Sequence, residues 1–150
     1  MLDVKGISKL ERLFRMAAEL DVDKSDLQRY TDFVNQKIHD LLLRGEAAAR
    51  ANGRDIIEPH DLPITKGLQE RVHEFKRMNA EIDLEPILEY LAAGPPLDLA
   101  YSDRTKAELP RIFGGVSVAL ARTFKALVPD LKNPQTRHWE QAMRIFNLLL

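Results

Sequence analysis

The sequence predicts an all-α fold made of two copies of a short-long-short helical unit. Three observations carry that prediction. Apolar residues recur at three- and four-residue spacing along most of the chain, and Ser, Thr and Asp caps with Gly or Pro stops punctuate those stretches. The punctuation itself repeats: Ser8 answers to Asp83 and Pro59 to Pro134, both 75 positions on, and the long-helix starts Ser25 and Ser102 differ by 77.

Each element has a local reason. Ser8 and Glu11 read as a capping box opening a helix to Leu20, with Leu10, Leu13, Phe14 and Ala17 on one face. Asp21 to Lys24 ends it. Ser25 with Gln28 reads as a second box, starting a helix from Ser25 or Asp26 to Asn52, with Gly53 as the stop. Its stripe is Leu27, Tyr30, Val34, Ile38, Leu41, Leu42, Gly45 and Ala48/Ala49. At roughly 40 Å such a helix exceeds a small domain's diameter, so other helices must cross it. Arg54 to Ile57 is a short β-prone piece, Pro59 opens a turn that Pro63 interrupts, and Thr65 to Met78 is helical with Leu68, Val72, Phe75 and Met78 inward.

In the second half, Asp83 is expected to cap a short helix through Ala93, tolerating Pro86 in its first turn, with Gly94-Pro95-Pro96 as the stop. Ser102 or a residue just beyond it starts a helix to Val128, in which Pro110 marks a kink or the true beginning and Gly114-Gly115 permits a close helix crossing. Residues 129–133 connect, and Asn133-Pro134 opens a last helix carrying Trp139, Met143, Phe146 and Leu148 to Leu150. Each long helix leaves its middle stripe uncovered by its own unit. A second unit laid head to tail buries both stripes, so one domain of two interlocked units is expected, about 1–80 and 81–150.

Composition narrows the function classes. With 45% apolar and 30% charged residues the chain can build a core, and 22 Lys+Arg against 23 Asp+Glu give a formal charge of -1. That charge supplies no long-range field for polyanions unless the basic groups segregate on one face. The absence of cysteine excludes disulfides and thiolate chemistry. No apolar run approaches the roughly 20 residues that cross a bilayer, so a cytoplasmic location is expected, nucleoid-associated if DNA is bound.

A short helix, a long central helix, a loop with Gly-Arg and β-branched residues, then a helix opening near an Asp together resemble the histone fold, in which two such units form a handshake. Gly53-Arg54 and Asp61 match the motif in which the second-loop Arg pairs with an Asp at the start of the third helix. The runs LERLFRMAAELDVDKSDL and RGEAAARANGRDIIEPHDLPITKGLQE closely resemble a family of bacterial and thermophile proteins that carry two histone-fold units in one chain, without an assigned activity. The likeness is strong from Leu10 to Glu70 and fainter beyond Glu81. It implies a handshake pseudodimer. DNA-packaging histones of archaeal type follow the loop Arg with a Lys and a Thr near phosphate, where this chain has Asp55 and Ile56. In the second half Pro129 and Thr136 stand at the positions matched to Arg54 and Asp61, so the pair is absent there.

The candidate phosphate contacts are therefore Lys5, Lys9, Arg12, Arg15, Lys24 and Arg54 in the first half, interleaved with acids. Arg104, Lys106, Arg111, Arg122, Lys125, Lys132 and Arg137 form the second half's patch, with fewer acids among them. Glu70 and His73 make a single Glu-x-x-His step, whereas a di-iron bundle needs two such steps and two further glutamates. His39, His60 and His138 are isolated, every Ser reads as a cap or helix residue, and Thr65-Lys66-Gly67 lacks the upstream glycines of a nucleotide loop. No catalytic residue, metal or cofactor is expected. The expected role is that of a non-enzymatic histone-like protein with weak, salt-sensitive binding to double-stranded DNA, or alternatively an interaction or structural module without it. The apolar end, Trp139, Phe146 and Leu148 to Leu150, is core first and, where exposed, a surface for another protein or a second copy.

Overall fold

The structure, a computed structural model, describes residues 3–92 and 97–150. Among these it contains six α-helices: α1 Val4–Ala18, α2 Lys24–Ala51, α3 Lys66–Ile82, α4 Glu85–Leu91, α5 Asp103–Leu127 and α6 Thr136–Leu149. Two two-residue strands, β1 Ile56–Ile57 and β2 Ala100–Tyr101, pair in parallel, and Pro59–Asp61 forms a 3-10 turn. β2 was not anticipated, because two residues show no period. Among the described residues no helix is long and apolar enough to cross a membrane.

Several boundaries differ from those expected, and caps explain each. The first helix begins at Val4 because the Asp3 side chain accepts from the Gly6 N–H, which leaves Ser8 inside the helix with no box to make. It ends at Ala18, two short of Leu20, where Glu19 caps it in the left-handed region at φ 54°. α2 starts at Lys24 after Asp23, without a side-chain cap bond, so the Ser25 box is not formed. Asp83 does not cap α4. It closes α3 in the left-handed region, φ 53°, while Asn79 Oδ1 accepts from the backbone N–H of both Leu84 and Glu85. Thr65 and Ser102 do cap α3 and α5, accepting from Leu68 N and Thr105 N. α5 begins at Asp103 and continues through Pro110, which is buried inside it, so Pro110 does not mark its beginning. α6 starts at Thr136, later than Asn133-Pro134, because Gln135 and His138 close a reciprocal box there. The expected continuation to Ala93 and the Gly94-Pro95-Pro96 stop lie outside the described residues.

One hydrophobic cluster draws on all six helices. Its centre is aromatic: Phe14, Tyr30, Phe124 and Trp139 are almost wholly buried, with the Trp139 ring 4.8 Å from Phe124 and 5.9 Å from Phe14 between centroids. Tyr30 on α2 meets Ser117 on α5 at 2.6 Å, and Ser117 donates to Phe113 O, so the phenol is the donor of the first bond. Burial raises the pKa of that phenol, which keeps it a donor.

Loops from opposite halves meet twice. At one end β1 pairs with β2, and Ser102 N and Thr105 Oγ1 both donate to Ile57 O. At the other, Asp21 N donates to Lys132 O at 2.7 Å. Along the side, α5 crosses α3 so closely that a methyl built on Gly115 would lie 2.6 Å from Val72 Cγ2 and 3.0 Å from Val72 N. Only residues without a Cβ allow that crossing.

Candidate functional site

A bidentate ion pair organises the loop after α2. Gly53, at φ 71°, turns the chain so that Arg54 comes back over the 3-10 turn. Both terminal nitrogens of Arg54 donate to the Asp61 carboxylate, one of them at 2.7 Å to Oδ2, and Glu58 N donates to the same Oδ2 at 2.8 Å. The Asp61 side chain is 2% exposed, Arg54's 33%. The Arg54 bonds, with help from the Glu58 N–H and against the opposing effect of burial, hold the Asp61 carboxyl down at about 2. The same bonds raise Arg54, so its charge is committed to Asp61.

Glu58 links this site to the other half. Its Oε2 accepts from Ser102 Oγ at 3.2 Å and from Arg104 Nη2 at 3.1 Å. His60 is largely exposed, with Nε2 3.9 Å from Asp61 Oδ1, so it is Asp61 that caps the turn. The cap boxes also revise the match between halves. Glu58/Asp61 and Gln135/His138 make the same box, which pairs Asp61 with His138 rather than Thr136 and Arg54 with Leu131 rather than Pro129. His138 Nδ1 accepts from Gln135 N at 2.8 Å, a role for a residue that the sequence presented as isolated.

The basic candidates divide into two groups. Arg122 Nε donates to Glu74 Oε2 at 2.9 Å, and Arg111 donates to Glu85 Oε1 at 3.2 Å and Glu108 Oε1 at 3.1 Å. Lys9 donates to Asp83 O at 2.9 Å, Arg12 lies 3.8 Å from Glu81, and Lys125 donates to Leu131 O at 2.6 Å. Together with Arg54 and Arg104, these join helices or brace loops. Lys5, Arg15, Lys24, Lys106, Lys132 and Arg137 are exposed and make no ion pair among the described residues. They do not gather on one element. Asp55 is exposed, and Asp21, Asp23, Asp103 and Asp130 are exposed beside the two loop junctions. The acids Glu58, Glu74 and Glu85, which neutralise the arginines, carried no signal in the sequence.

Among the described residues no group of three or more His, Asp or Glu is placed to hold a metal. Glu70 is bonded to Lys66 at 2.7 Å, which lowers its pKa, and His73 meets Gln69 instead. A second feature is apolar. Between the N-terminal end of α3, the C-terminal half of α5 and the end of α6 lies a groove of about 530 Å³, lined in part by Leu68, Val116, Ala119, Phe146 and Leu150. Beside it, Leu148 and Leu149 are 84% and 76% exposed.

The chain is similar to known proteins over nearly its whole length. The family model described as Domain of unknown function (DUF1931) matches residues 10–147. A protein of Aquifex aeolicus (strain VF5), described as an uncharacterized protein, is 31% identical over 132 residues, 88% of this chain and 77% of the relative. A crystal structure of a protein from Thermus thermophilus is 53% identical, with a TM-score of 0.87 over 96% of this chain and 97% of that one. A crystal structure of an Aquifex aeolicus protein is 29% identical, with a TM-score of 0.85, covering 100% of this chain and 99% of the other.

Proposed function

We propose that this chain, which belongs to the DUF1931 family, is a non-enzymatic histone-fold pseudodimer that works through contact with proteins instead of by packaging DNA. The handshake reading is supported by the two loop junctions at opposite ends and by the α2–α5 contact at Tyr30 and Ser117. One observation carries the functional reading. Arg104 and Arg122, two of the second-half candidates for a phosphate surface, are bonded to Glu58 and Glu74 of the first half. A phosphate contact there would have to break a bond that holds the halves together. Asp55, where a phosphate-facing residue would stand, adds repulsion. Exposed Leu148 and Leu149 beside the apolar groove support protein contact.

A second reading, weak and salt-sensitive DNA association, rests on the exposed bases Lys5, Arg15, Lys24, Lys106, Lys132 and Arg137, which make no ion pair among the described residues. The two separate in an anisotropy titration of a labelled duplex of roughly 30 base pairs, at low and near-physiological salt. The first reading expects no saturable binding at micromolar protein in the higher salt. Micromolar binding that weakens steeply with salt would overturn it in favour of the second.

A further inference from the structure

We infer that α6 is a releasable arm, which undocks as a unit by pivoting on residues 133–135 before the other five helices come apart. Tethering is the first reason. Each other helix has a polar link to another element: Lys9 of α1 to Asp83 O, Tyr30 of α2 to Ser117, Glu74 of α3 to Arg122 of α5, and Glu85 of α4 to Arg111. α6 has none among the described residues. Its side-chain bonds are confined to its own cap, where Gln135 N donates to His138 Nδ1. Apolar packing alone holds it, through Trp139, Ala142 and Phe146.

That packing is also incomplete. The Trp139 indole N–H is buried and has no protein partner among the described residues. Toward its C-terminal end α6 borders the open groove, and Leu148 and Leu149 already face solvent. α3 is the contrast, because it lies against Gly114 and Gly115 of α5 at distances no side chain on those glycines would permit.

The pivot is defined by what comes before it. Lys125 Nζ holds Leu131 O, and Asp21 N holds Lys132 O, so the loop is fixed as far as Lys132. Beyond it, Gln135 bonds only to Asn133 O and to its own helix. Release uncovers the aromatic face of Phe14, Tyr30, Phe33 and Phe124, and frees an amphipathic helix that fits that face. Helices of low tethering are the ones expected to open below the global unfolding free energy.

The chain has no cysteine, so a single introduced thiol reports opening cleanly. Ala142 on α6 and Ala121 on α5 are both 0% exposed. With an aromatic disulfide reagent under native conditions, the Ala142→Cys thiol is expected to react at least about tenfold faster than the Ala121→Cys thiol. Its rate should also be nearly flat in low urea, while the Ala121→Cys rate rises with global unfolding. Equal rates with equal urea dependence would overturn the inference. Should either variant fail to fold, hydrogen exchange on the unmodified chain decides: the amides of 139–146 must be about tenfold less protected than those of 116–120, and equal protection refutes release.

Discussion

Replacing Gly115 by alanine tests the packing that the whole arrangement depends on. In a free helix this change stabilises by about 1 kcal/mol, since alanine restricts the unfolded chain and suits the helix. Here the new Cβ would lie 2.6 Å from Val72 Cγ2, 3.0 Å from Val72 N and 3.1 Å from Val72 Cα. A side chain could rotate away, but two of those atoms are backbone, so α3 as a whole must retreat by several tenths of an ångström or more. Overpacking of this kind costs about 1–3 kcal/mol, and retreat also loosens Phe75 and the Arg122–Glu74 pair. Set against the helical gain, the expected net loss is about 1 kcal/mol, a drop in Tm of roughly 2–4 °C for a chain of this size. Gly67→Ala is the control, because nothing lies within 4 Å of its Cβ, and it should be neutral or slightly stabilising. Urea unfolding followed by circular dichroism measures both. A Gly115→Ala variant as stable as the parent would refute the close crossing of α3 on α5.

Other outcomes follow from the polar sites. Asp61→Asn should destabilise by about 2–3 kcal/mol at neutral pH, because it weakens charged bonds from Arg54. Since folding lowers Asp61 from 3.8 to about 2, its contribution is present above pH 4 and is lost as the pH falls towards 2. The gap between parent and variant in urea unfolding should therefore shrink across that range, and a gap constant with pH would contradict the assignment. At the α2–α5 contact, Tyr30→Phe removes the donor and should cost about 1 kcal/mol. Ser117→Ala should cost more, because it strands the phenol in the core, and the reverse order would show that the hydrogen-bond direction is wrong.

Much of the fold was legible where the signal is local. The apolar stripes of α1, α2 and α3, the helix starts near Thr65 and Ser102, and the close crossing at Gly114-Gly115 all follow from residues a few positions apart. The misses have physical causes. A helix grows back past an interior Ser when an earlier residue such as Asp3 can cap it, so Ser8 with Glu11 was a false start. Asn79 caps α4 from five and six residues away, beyond the three-residue spacing of a box. The partners of the basic candidates were illegible for the same reason on a larger scale. Glu58 and Arg104, or Glu74 and Arg122, are brought together only by the crossing of the two halves. A surface read from basic residues alone therefore overstated its positive charge, while the Arg54–Asp61 pair was reached through the resemblance to the histone fold and not from spacing.

The central claim is that Arg104 and Arg122 join the halves and do not grip phosphate. Arg122→Glu tests it most directly when its thermal stability and its anisotropy with the labelled duplex are measured on the same sample. The reversed charge faces Glu74, so the account predicts a lower Tm and no change in the signal with DNA. An unchanged Tm together with the loss of DNA binding that the parent chain shows would contradict it.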